Sequence, residues 1–210
     1  MKYTLHILTI GILVHLVSCN PGTGRQESIN EDKGKDTSII TGKKTGCNFD
    51  KFLADPKTPA LAKDLLRNKA KYSEEPLSYF DSLVSKDGQA SAFYFRAITN
   101  SYKIADGAYA EGLGNLGKEY IENNSRQFAV FFEDKTCFTD EDLLTWAKIA
   151  LLEFEITDEN IETGKGEPLV NKYCRKLQDD SKSFSESEKK TISKFCKYLQ
   201  DEWAAFLKTT

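Results

Sequence analysis

From residue 47 to the end of the chain, apolar side chains recur at three- and four-residue steps, and no stretch alternates like a half-buried strand. That spacing matches the turn of an α-helix and not the two-residue repeat of a sheet, so it restricts the body to helix packed on helix. The last segment is the clearest. Ile192, Phe195, Cys196, Leu199, Trp203 and Phe206 run down one face, with Lys190, Lys194, Lys197 and Asp201 elsewhere on the circumference. Ser185 and Glu188 make the S-x-x-E pattern of a capping box at its start. Thr139 and Asp142 make a similar pair. The segment after them carries Leu143, Trp146, Ala147, Ile149, Ala150, Leu151, Leu152 and Phe154, apolar nearly all round, as a central helix is. Helices are expected over 49–54, 59–70, 76–85, 88–104, 106–122, 125–132, 139–156, 166–179 and 186–208. Short connections favour antiparallel neighbours. Helix lengths are unequal, and nothing repeats at a period of about 20–50 residues. The expected fold is therefore all-α, an irregular multi-helix bundle, with a helix-pair α-solenoid of the HEAT or TPR sort as the alternative.

The amino-terminal end reads differently. Lys2 precedes an apolar run from Leu5 to Val17, broken only by His6, Thr9, Gly11 and His15. A permanent membrane helix needs about 20 apolar residues; this run is shorter, as the core of a signal peptide is. It ends Leu16-Val17-Ser18-Cys19. An apolar residue, a small residue and then Cys resembles the lipobox of bacterial lipoproteins. The resemblance covers residues 1–19. It implies that residues 1–18 are a signal peptide cut before Cys19, that the Cys19 thiol carries an acyl chain such as palmitate, and that the new amino group is acylated too. Residues 19–46 hold few apolar side chains beyond Ile29, Ile39 and Ile40. They cannot bury enough surface to offset the entropy of ordering, and they read as a lipidated flexible tether spanning about 30 Å. Asn20, where the family's sorting habits use Asp for inner-membrane retention, favours the outer membrane. The implied location is the cell envelope, with the membrane as a partner through the lipid and residues 47–210 as the helical domain.

Separating the leader from the body changes the inventory. Both histidines, His6 and His15, lie in the leader, so the mature chain has none. Ser-His-Asp and Cys-His nucleophile systems are excluded, as are His-containing zinc sites and His-ligated haem. The leader takes only Lys2 from the 29 basic residues, leaving 28 against 32 acidic ones and a formal balance of −4, with no basic tract. Nucleic acid, whose binding rests on phosphate neutralisation, is not an expected partner.

With Cys19 assigned to lipid, Cys47, Cys137, Cys174 and Cys196 remain. An even number outside the cytosol suggests disulfides, and no C-x-x-C occurs. Of three possible pairings, the preferred one joins Cys174 to Cys196, on the apolar faces of two consecutive helices expected to form a hairpin, and Cys47 to Cys137. Buried free thiols are the alternative.

Four further patterns have ordinary explanations. Gly112 to Gly117 spells G-x-G-x-x-G, but no apolar strand precedes it and no βαβ unit follows, as a dinucleotide site requires. Ala110, Gly114, Gly117 and Ile121 instead share a helix face on which small residues would admit a second helix. Asp106-Gly107 just before marks a turn and helix start. Asp158, Asn160 and Glu162 alternate like a calcium loop, yet Thr163 and Leu169 stand where Gly and an acid are needed. Glu141 with Asp142, and Glu153 with Glu155, are neighbouring acids of the kind found at helix surfaces and, at defined separations, in glycosidases. Phe93-Tyr94-Phe95 and Phe131-Phe132 are contiguous, so one ring of each set must leave the main core. Covering a second helix layer is favoured over facing a partner.

No catalytic, cofactor-binding or metal-ligating residue is assigned, and no cofactor is expected. The expected function is a non-enzymatic envelope lipoprotein that binds another protein, for instance a periplasmic inhibitor or immunity protein. A carboxylate-dependent enzyme acting on cell-wall or glycan substrates, and a structural subunit of an envelope complex, are the alternatives.

Overall fold

The computed structural model describes residues 47–157 and 168–209; the expected leader and tether, Cys19 and the calcium-like segment after Thr157 lie outside them. Every regular element among the described residues is helical: α1 (Asp50–Ala54), α2 (Ala60–Leu66), α3 (Phe80–Leu83), α4 (Gly88–Ser101), α5 (Gly107–Asn123), α6 (Ser125–Phe131), α7 (Asp140–Thr157), α8 (Leu169–Asp180) and α9 (Glu186–Phe206). Single 3₁₀ turns occupy Glu75–Tyr79, Tyr102–Ile104 and Ser181–Ser183. The protein is an all-α multi-helix bundle.

Local chemistry explains most boundaries. The Ser185 hydroxyl accepts from the Glu188 N–H, and the Glu188 carboxylate accepts from the Ser185 N–H at 2.6 Å, completing the capping box of α9. Thr139 and Asp142 do the same for α7. The segment expected as one helix over 59–70 stops at Leu66. Asn68 takes a left-handed φ of 54°, its N–H donates to the Leu65 carbonyl, and the Lys69 N–H donates to that of Asp64 at 2.8 Å. This is a Schellman close, with Asn where Gly is commoner. The segment 76–85 is a 3₁₀ turn with Pro76 near its start, running into the short α3.

Helix α7 packs along α5 on one side and α9 on the other, and α8 and α9 form a hairpin. Glycine sets the α5–α7 approach. A Cβ built on Gly114 would stand 2.8 Å from both the Glu153 nitrogen and Leu152 Cβ, and one on Gly117 would stand 2.5 Å from Ile149 Cγ2. The close contact offsets the roughly 0.5–1 kcal/mol that each helical glycine costs relative to alanine.

The core is aromatic and centred on Phe95 of α4. Its ring has no exposed surface and stacks on Trp146 at 4.4 Å and on Phe131 at 4.2 Å, with Phe138 edge-on at 4.9 Å. The Trp146 indole N–H donates to Thr99 Oγ1 at 2.8 Å, and that hydroxyl donates to the Phe95 carbonyl. On the opposite side of α4, Phe93 stacks on Phe52 of α1 at 4.9 Å. Both Phe93 and Phe95 are therefore buried, with Tyr94 half-buried between them, because α4 has neighbours on two sides. In the first contiguous set the added ring covers another helix, whereas Phe131 and Phe132 both pack against Phe95 and Phe138 in a single cluster.

Cys47 and Cys137 form a disulfide, Cα to Cα 5.1 Å, closing a loop of 90 residues. A loop of that length contributes about 4–5 kcal/mol in the chain-entropy treatment. The expected Cys174–Cys196 bond is corrected. The α8–α9 hairpin does set the two residues face to face, but both are buried free thiols. Each sulfur lies 3.8 Å from the other residue's carbonyl oxygen, so each thiol has an acceptor across the hairpin without a covalent link.

Candidate functional site

Two open depressions stand out on the described surface. The first, about 350 Å³, lies beside the disulfide. Two of its polar side chains, Arg96 and Asn100, are engaged in holding the fold. The Arg96 guanidinium pairs with both oxygens of Asp142, donates to the Cys137 carbonyl and lies 4.6 Å above the Phe138 ring. Asn100 donates to the Leu65 carbonyl at 3.1 Å. This depression is the outer side of a structural clamp.

The second, about 310 Å³, runs between the end of α7, the end of α9 and the 3₁₀ turn at Tyr102. Two helix faces of the same spacing build it. Lys148, Leu151, Leu152 and Glu155 come from α7, and Glu202, Ala205, Phe206 and Thr209 from the end of α9 and just beyond. In both sets the residues stand at i, i+3, i+4 and i+7, one face of a helix. The groove's apolar members are Leu151, Leu152, Ala205 and Phe206, and its charged members are Lys148, Glu155 and Glu202. Lys148 Nζ stands 3.9 Å from Glu202, a loose pair. Glu155 has no hydrogen bond or ion pair among the described residues, and burial raises its carboxyl above the usual range. The Tyr102 hydroxyl is raised as well, first by burial and then by Glu155 and Glu202. The groove thus joins apolar lining residues to acidic ones that are incompletely compensated.

The acids singled out in the sequence separate. Asp142 serves the Arg96 pair and the α7 cap, while its neighbour Glu141 is exposed. Glu153 and Glu155, two positions apart, point roughly 200° apart around the helix, and only Glu155 enters the groove. Among the described residues, no three His, Cys, Asp or Glu side chains are grouped to hold a metal. Sequence reasoning did not single out Tyr102, Lys148 or Glu202. The shared spacing on α7 and α9 was the available signal, although nothing in it says that the two faces meet. Comparison with known proteins finds no matching family model, no matching curated protein and no matching solved structure.

Proposed function

We propose that the chain is a lipid-anchored protein of the bacterial cell envelope whose helical body binds another protein, as an inhibitor or immunity protein does. The observation that carries this reading is how the reactive side chains are used. The body has no histidine. Asp142 is held by Arg96 and Thr139, and the four cysteines of the helical domain are either joined or buried. Both depressions are open to solvent, whereas a carboxylate enzyme on glycans needs a deep cleft with two facing acids. The surface also presents large apolar side chains, Tyr72, Val84, Val130, Ile156 and Leu207, which suit contact better than chemistry. Among the described residues no helix is long and apolar enough to cross a membrane; the reading puts attachment at Cys19.

Two measurements test it. Cells fed an alkyne fatty acid should label the wild-type chain and not Cys19→Ala, which should leave the membrane fraction. Retained labelling of the variant would overturn the anchor. Photo-cross-linking groups placed at Val84, Val130 and Ile156 in intact cells should capture one recurring protein. Failure at every position would overturn the binding role.

A further inference from the structure

We propose that the groove between α7 and α9 receives an arginine side chain of the protein partner. This rests on the protein-binding reading and names the chemistry that the partner would bring. Three observations on different atoms support it. First, Leu151, Leu152 and Phe206 give the groove an apolar lining against which the methylene stem of a long side chain can lie. At about 310 Å³ the groove lies at the small end of ligand cavities, of a size for one anchor residue. Second, the half-buried Glu155 carboxylate has no cationic partner among the described residues, and Glu202 is compensated only at 3.9 Å by Lys148. Among the lining residues, two acids against one loosely held lysine leave one surplus negative charge, which complements a cation better than a phosphate or carboxylate ligand. Third, of five exposed large apolar residues, two adjoin the lining in sequence: Ile156 beside Glu155, at 61% exposure, and Leu207 beside Phe206, at 44%. Exposed apolar side chains next to a half-buried acid without a cationic partner among the described residues suit an anchor pocket with its surrounding rim.

Arginine fits better than lysine. Its planar guanidinium can fork onto the Glu155 carboxylate and lie against an aromatic face, here Tyr102 or Phe206, while its weaker hydration lowers the cost of leaving water. The Arg96 guanidinium, forked onto Asp142 and lying over Phe138, shows the same combination inside this fold.

The test uses the mature full-length chain, isotopically labelled, titrated with n-butylguanidinium and separately with the neutral isostere n-butylurea. Butylguanidinium should give saturable amide shifts at Tyr102, Leu152, Ile156 and Phe206, and butylurea should give none. Glu155→Gln should weaken the guanidinium by about tenfold or more, the range of a charge-assisted hydrogen bond, and Glu155→Asp should weaken it less. Asp50→Asn, beside the other depression, should leave it unchanged. Absence of saturable shifts, equal response to butylurea, or equal affinity in Glu155→Gln would each overturn the assignment. Those outcomes would leave the cross-linking test of the binding role intact, so the two ideas fail separately.

Discussion

Arg96 of α4 grips Asp142 of α7 through both guanidinium nitrogens, at 2.5 and 3.0 Å, while Asp142 also accepts from the Thr139 N–H at 2.7 Å and so caps the helix it starts. One carboxylate therefore fixes both the register of α7 against α4 and the start of α7. Both side chains are mostly buried, at 19% and 14% exposure. Asp142→Asn should lower unfolding stability by about 2–3 kcal/mol, combining a weakened buried pair with a weakened cap. Arg96→Lys should lose most of the same, since an ammonium cannot reproduce the fork. Urea titration should show earlier midpoints at unchanged slope, and the double variant should be less destabilised than the sum of the singles.

The glycines of α5 divide by what faces them. At Gly114 a methyl group meets α7 backbone, which cannot move aside, so Gly114→Ala should cost about 1–3 kcal/mol. At Gly112 the nearest atom is Leu77 Cδ1, the end of a flexible side chain. Gly112→Ala should therefore be nearly neutral, or stabilising by up to about 1 kcal/mol through helix propensity. Thermal unfolding of the two variants should separate them clearly.

The four body cysteines should behave as two classes. In the native chain carrying Cys19→Ala, a thiol reagent should find nothing to modify. Cys174 and Cys196 are buried, and the Cys196 thiol is held protonated by its Cys174 neighbour and by burial. After denaturation without reductant, two thiols should react, both on the peptides carrying Cys174 and Cys196. Cys47→Ser with Cys137→Ser should lower stability by about 4–5 kcal/mol, whereas Cys196→Ala should cost only a cavity.

Two carboxylates should give opposite pH signatures. At Glu188, burial pushes the carboxyl upward, but the Ser185 N–H, the Arg126 side chain and the Ser185 hydroxyl outweigh it, and the folded value lies below the ordinary 4.5. Its stabilising contribution is complete above that ordinary value and disappears as pH falls through the folded one. Glu188→Gln should be destabilising at neutral pH and flatten the acid limb of a stability–pH curve. Burial raises Glu155, so its ionised form opposes folding at pH values above the folded value. Glu155→Gln should stabilise the protein at neutral pH, and that gain should vanish in acid.

Much of this fold was legible from residue order. Ser185 with Glu188 and Thr139 with Asp142 announce helix starts because a cap is a contact between side chain and backbone within one turn. Gly114 and Gly117 announce a close approach because four- and three-residue steps place them on one face. The end of α2 was harder to see, since Asn68 takes the left-handed conformation less often than glycine does and its signal is weaker. Phe93-Tyr94-Phe95 announced a second covered face on α4, but residue order could not say which helices cover it, because periodicity reports a face and not its neighbour.

Residue order alone determined the class of the fold, the extent of most helices, the absence of histidine after His15 and the resemblance at Cys19, because each depends on local period, local capping or the simple presence of a residue. Only the tertiary structure decided which distant side chains meet. It set Arg96 against Asp142 across 46 positions, joined Cys47 to Cys137, left Cys174 and Cys196 as thiols and turned two equal helix faces into one groove. Those meetings follow from how helices dock, and docking is settled by the fit of the whole core rather than by any one segment.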